Sequence, residues 1–77
     1  MKKHQVNKKQ TGAKIYRKLK DLGITFDTLA ELLNLSSSRV IYEWVNGNKL
    51  PSIEHLVTIT MNLNMKLEEL LVIEEIL

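Results

Sequence analysis

The sequence predicts an all-α fold, a compact five-helix domain, on three observations. Apolar residues recur at three- and four-residue spacing along most of the chain, such stretches end at Gly or Asn, and no two-residue alternation flanks a hairpin turn. A chain of 77 residues, 44% hydrophobic and 26% charged, can fill one small core and no second lobe. With no cysteine there is neither a disulfide framework nor a thiolate metal site, so packing must hold it together. The expected organisation is a basic, flexible N-terminal arm over 1–11 and one domain over 12–77.

Each helix follows from local signals. Residues 2–11 contain Val6 as their one aliphatic side chain and no sustained period, which predicts the arm. Ile15, Leu19 and Leu22 are spaced four and three, and Gly23 follows where a left-handed cap is cheap, giving a first helix over 12–22. Thr25 can cap a second helix over 26–33, whose stripe is Leu29, Ala30, Leu32 and Leu33, with Asn34 as its stop. Ser36, Ser37 and Ser38 offer three N-caps for a third helix over 37–46, closed by Asn46-Gly47. Its columns Val40/Trp44 and Ile41/Val45 face inward, leaving Ser38, Arg39, Tyr42, Glu43 and Asn46 outward. After Pro51, Ser52 caps a fourth helix that runs to Met61 and stops at Asn62. A fifth starts near 66 and carries Leu67, Leu70, Leu71, Ile73, Ile76 and Leu77.

Charge is uneven. Residues 1–24 hold eight Lys and Arg against Asp21 alone, while 25–77 hold three against eight Asp and Glu. Such a dipolar chain turns one side toward a polyanion and the other away. The longest aliphatic run is Leu70-Leu71-Val72-Ile73, far short of the roughly 20 residues a membrane span needs, and the polar N-terminus does not read as a secretory signal. The expectation is a soluble, cytoplasmic protein.

Two short helices joined by about four residues, with the small Ala30 facing Val40 or Ile41, describe a helix-turn-helix. The stretch from Thr25 to Ser36, then Val40, Trp44, Asn46-Gly47, Pro51-Ser52 and the run from Leu63 to Leu71, resembles the lambda-repressor-like family of phage repressors and Cro-type (XRE) regulators. The resemblance covers about residues 13–71. It implies a lambda-repressor-like DNA-binding domain with a central helix-turn-helix, whose third helix enters the major groove of double-stranded DNA and whose dimers read paired half-sites. Three departures stand out. Phe26 occupies the place where family members usually carry a glutamine that holds a phosphate, and a phenyl ring cannot do so. Counting from Ala30 puts Val40 at the family's buried branched position, whereas counting back from Asn46-Gly47 puts Ile41 there. Lys66 stands where a Ser or Asp normally caps the last helix.

Mapped onto this chain, Ser37 and Ser38 lie where base edges are met, and Arg39 can grip guanine O6 and N7 or a phosphate, or instead pair with Glu43. Tyr42 can reach a thymine methyl or a phosphate, or pack half-buried. Asn46, Asn48 and Lys49 match the loop laid along the DNA backbone, and Lys14, Arg17 and Lys18 form the basic side of the first helix. Trp44, His55, Met61 and Met65 read as packing residues. Glu68-Glu69 and Glu74-Glu75 come with no nucleophile or metal spacing, and neither a Gly-rich phosphate loop nor a catalytic triad is present, so no enzyme, cofactor, metal or small-molecule ligand is expected.

The functional expectation is a sequence-specific transcriptional regulator, a repressor, acting as a homodimer through Leu71, Ile73, Ile76 and Leu77. The alternative is a protein-interaction module on the same fold, an antitoxin-like or anti-repressor partner, which Phe26 and the acidic balance of 25–77 favour.

Overall fold

The computed structural model describes residues 1–76 in the order β1 (Lys3–Val6), α1 (Lys8–Leu22), α2 (Phe26–Leu32), α3 (Arg39–Val45), α4 (Ile53–Asn62), α5 (Leu67–Leu70) and β2 (Ile73–Ile76). The first four helices end by one device. Gly23, Asn34, Gly47 and Asn64 each take a left-handed φ, at 68°, 58°, 80° and 52°. The next amide then reaches back five residues: Ile24 donates to the Leu19 carbonyl at 2.9 Å, Leu35 to Ala30 at 2.8 Å, Asn48 to Glu43 at 2.9 Å and Met65 to Thr60 at 2.9 Å. Orphan carbonyls are satisfied and Ile24, Leu35 and Met65 are folded back onto the core. The stop of α4 is therefore Asn64 and not Asn62, which is the last helical residue.

Helix starts follow their caps. The Thr25 hydroxyl accepts from the Thr28 amide at 3.1 Å and that of Ser52 from His55 at 3.3 Å. The Lys66 side chain makes no cap bond, and α5 is a single turn. Leu71, expected on a dimer surface, is half-buried against the core, and Leu77 lies outside the described residues.

The core consists of Ile15 and Leu19 from α1, Leu29, Ala30 and Leu33 at α2, Ile41 and Trp44 from α3, Leu56, Ile59 and Leu63 at α4, and Leu70. Ala30 supplies the small side chain where α2 meets α3. Gly12 does the same between α1 and α3: a Cβ there would stand 2.1 Å from the Trp44 carbonyl oxygen. His55 sits half-buried beside Trp44, with ring centroids 5.5 Å apart.

Two expectations about the chain ends are corrected. Residues 1–11 do not form an arm: Lys3–Val6 is a strand, and α1 begins four residues before 12, because the Asn7 side chain accepts from the Gln10 amide at 2.9 Å and caps it. The last stretch is not one long helix, since β2 follows α5 and pairs antiparallel with β1, Lys3 opposite Ile76 and Val6 opposite Ile73. Neither strand alternates, so no hairpin signal exists to be read. What joins them is charge and hydrogen bonding: Gln5 donates to Glu74 at 2.6 Å, Asn7 donates to Glu74 at 3.2 Å, and Lys2 lies 3.6 Å from Glu75. The ribbon is fastened to α1 at Val72, whose amide donates to the fully buried Thr11 hydroxyl at 2.9 Å and whose carbonyl accepts from the Asn7 amide at 2.7 Å. The helical fold class stands with this small two-stranded sheet added to it.

Candidate nucleic-acid interface

The turn between α2 and α3 fixes which side of α3 looks outward. It spans 33–38, so the extra residue lies ahead of the helix, and α3 starts at Arg39 instead of Ser37. Ile41 is fully buried while Val40 is only half-buried. The count back from Asn46-Gly47 is thus the correct one, and Arg39, Tyr42 and Asn46 form the exposed stripe, three and four residues apart. Ser38 occupies the N-cap position without a side-chain cap bond. The Ser37 hydroxyl instead accepts from the Arg39 amide at 3.3 Å. Ser37, Ser38, Arg39 and Tyr42, predicted separately, surround one shallow depression at the start of α3.

Glu43 does not pair with Arg39. Its carboxylate is 3.1 Å from the Lys49 ammonium, and its carbonyl accepts from the Asn48 and Lys49 amides. Among the described residues the Arg39 guanidinium has no carboxylate partner. The Lys49 ammonium is two-thirds exposed, so its ion pair is worth little and can be exchanged for another anion.

On its other side α3 borders an open cleft of about 630 Å³ that reaches α1 and the start of α2. Arg17 lines it, together with Tyr16, Lys20, Asp21, Phe26, Tyr42 and Asn46. Lys14 and Lys18 do not: each is two residues from Tyr16, roughly half a turn around the helix axis, and lies on the opposite flank of α1. Lys20, Tyr16 and Phe26 also border the cleft, although the sequence gives none of them a DNA-contacting role. One signal was available for them: none of the three falls on the buried column Thr11, Ile15, Leu19 or on the core stripe of α2.

Gly12 and Gly47 set how α1 meets α3. A Cβ at Gly47 would come within 2.7 Å of the Lys9 Cα, so the start of α1 and the end of α3 are in backbone contact. Tyr16 and Arg17, one turn further along α1, are held beside Tyr42 and Asn46 by that contact. Beside the cleft α1 contributes Arg17 and Lys20 against Asp21, while on α3 Arg39 has no carboxylate partner among the described residues and Glu43 is paired with Lys49, so the combined surface is cationic.

A family model described as a Cro/C1-type HTH DNA-binding domain matches residues 14–75. Two solved structures are similar to the chain. One is the restriction-modification controller protein C.AhdI from Aeromonas hydrophila, with a TM-score of 0.73 and 19% identity over 83% of this chain and 91% of that one. The other is the DNA-binding domain of BldD, with a TM-score of 0.70 and 19% identity over 86% of this chain and 94% of that one. No curated protein matches the sequence. No helix among the described residues is long and apolar enough to cross a membrane.

Proposed function

The chain belongs to the Cro/C1-type helix-turn-helix DNA-binding domain family, and from that premise we propose that it is a sequence-specific transcriptional repressor that places α3 in the major groove. The observation that carries this reading is the exposed stripe Arg39, Tyr42, Asn46, free of carboxylates and flanked by Ser37 and Ser38 at one depression. Arg39, unpaired among the described residues, reads guanine through O6 and N7, and the serine hydroxyls add weaker selectivity. Asn46, Asn48 and Lys49 contact phosphates at the end of α3. On α1 the backbone contact is Arg17, joined by Lys20, because both border the cleft next to α3 whereas Lys14 and Lys18 lie away from it.

The protein acts as a homodimer on paired half-sites in the bacterial or phage-infected cytoplasm. Ile53, Val57 and Met61 support this reading, being exposed at four-residue spacing along α4 in a stretch whose one carboxylate is Glu54. On β2, Ile73 and Ile76 are exposed as well, but Leu71 is occupied by the core.

The test is fluorescence anisotropy of a mixed-sequence duplex at several salt concentrations, where log K falls against log salt with slope about −0.9 per neutralised phosphate. A steep line is expected. Charge reversal of Arg39 and Lys49 removes DNA retention while sedimentation still shows a dimer. A flat line with no binding at low salt refutes the reading and favours a protein-interaction module.

A further inference from the structure

Of the chain's four aromatic residues besides histidine, Trp44 is buried, and the other three are Phe26, half-buried against the core, and the exposed Tyr16 and Tyr42. They form one row across three helices. The Phe26 ring, at the first position of α2, meets Tyr42 of α3 at 4.7 Å and 75°, and Tyr16 of α1 at 6.1 Å and 80°. Both are edge-to-face contacts, a geometry that fixes ring orientation beyond simple burial. Tyr16 and Tyr42 nevertheless stay 45% and 53% exposed. Among the described residues neither phenol hydroxyl hydrogen-bonds to protein. The Lys20 ammonium stands 5.6 Å from the Tyr16 ring centroid, and Arg17 and Asn46 border the same cleft.

Tyr16 and Tyr42 keep about half of their surface in solvent while Phe26 anchors them to the core, so both rings are held in place and free to meet a ligand. The chemistry on offer is two hydroxyl donors on rigid apolar supports, with Arg17 and Lys20 at the rim beside the carboxylates of Asp21 and Asp27. That suits an alternating anionic and apolar strand. A phosphodiester oxygen accepts from the phenol, while the ring edge lies against deoxyribose.

We propose that the Tyr16–Phe26–Tyr42 row is an uncharged clamp on the DNA sugar-phosphate backbone. Both tyrosine hydroxyls donate to phosphodiester oxygens, and Phe26 is the positioning residue that holds the two rings. The inference rests on the DNA-binding reading above and can fail without it. Because a phenol releases no counterion, the clamp adds affinity without adding to the salt slope, unlike Arg17 and Lys20.

The experiment is the same anisotropy titration on a mixed-sequence duplex with wild type, Tyr16→Phe, Tyr42→Phe, Phe26→Leu, Phe26→Tyr and the double variant Phe26→Leu/Tyr42→Phe. Each tyrosine variant is expected to bind about three- to tenfold more weakly at every salt concentration with an unchanged slope. Thermal midpoints stay within about 2 °C of wild type, since only an exposed hydroxyl is removed. Phe26→Leu loses a similar factor and costs little more in the Tyr42→Phe background, the non-additivity expected of coupled groups. Phe26→Tyr keeps the ring and binds as wild type. If both tyrosine variants bind as wild type, or lose affinity only through a shallower slope, the clamp is overturned while DNA binding stands. Absence of wild-type binding at low salt overturns both. Should Phe26→Leu fail to fold, the two tyrosine variants decide the matter alone.

Discussion

Replacing Gly12 by alanine sets two known effects against each other, and the structure decides the sign. In an exposed helix interior the change favours the helix by about 1 kcal/mol, because alanine has less backbone entropy to lose. Here the new Cβ would stand 2.1 Å from the Trp44 carbonyl oxygen and 3.0 Å from that of Val45. Carbon and oxygen ordinarily approach no closer than about 3.3 Å, so α1 has to withdraw from α3 by roughly 1.2 Å. The obstacle is helical backbone and cannot rotate away. A gap of about 1 Å forfeits a quarter to a half of each dispersion contact across the seam, and overpacking of this kind costs about 1–3 kcal/mol or more. Net of the propensity gain, we expect about 2 kcal/mol of destabilisation. For a domain of this length that lowers the thermal midpoint by roughly 8–16 °C, read by circular dichroism at 222 nm. DNA affinity falls too, because the same seam sets Tyr16 beside Tyr42. A midpoint equal to or above wild type would show that α1 and α3 are not in backbone contact.

Three further outcomes can be checked independently. Ile41→Ala should cost about 2–5 kcal/mol in urea unfolding and Val40→Ala less than half as much, since Ile41 is fully buried and Val40 is not; the reverse order would return the register to Val40. Thr11→Val keeps the shape but leaves the Val72 amide without its acceptor, costing about 1–3 kcal/mol; hydrogen exchange should quicken at Val72 first, and uniform loss of protection would contradict a local clamp. Deleting residues 1–5 should change the DNA salt slope by less than about 1, because Lys2 faces Glu75 and this end is tied to β2; a drop of 2 or more would restore a DNA-following arm.

How much of the site was legible differs between its parts. Ser37, Ser38, Arg39 and Tyr42 were readable because the helix-turn-helix spacing places them, and they do converge at one depression. The pairing of Glu43 with Lys49 instead of Arg39 was not, because it depends on where the chain turns after Gly47. Nor was the aromatic row: Tyr16, Phe26 and Tyr42 sit on three helices, and their meeting depends on how those helices cross.

The sequence by itself determined the helices and where most of them stop. Thr25 and Ser52 as caps, and Gly23, Asn34 and Gly47 as left-handed ends, act through hydrogen bonds no more than five residues long, so each is written within a few letters of where it operates. Tertiary structure alone decided the pairing of β1 with β2, which of Val40 and Ile41 fills the core, and which cations of α1 lie beside α3. Gln5 and Glu74 meet across 69 residues through polar contacts that leave no periodic trace in either strand. The one-residue mismatch between the counts from Ala30 and from Asn46-Gly47 shows in the sequence, but which count holds is decided only by Ile41, and not Val40, filling the core. Local bonds can be read from local sequence; a contact between distant segments is selected only when the whole chain closes around one core.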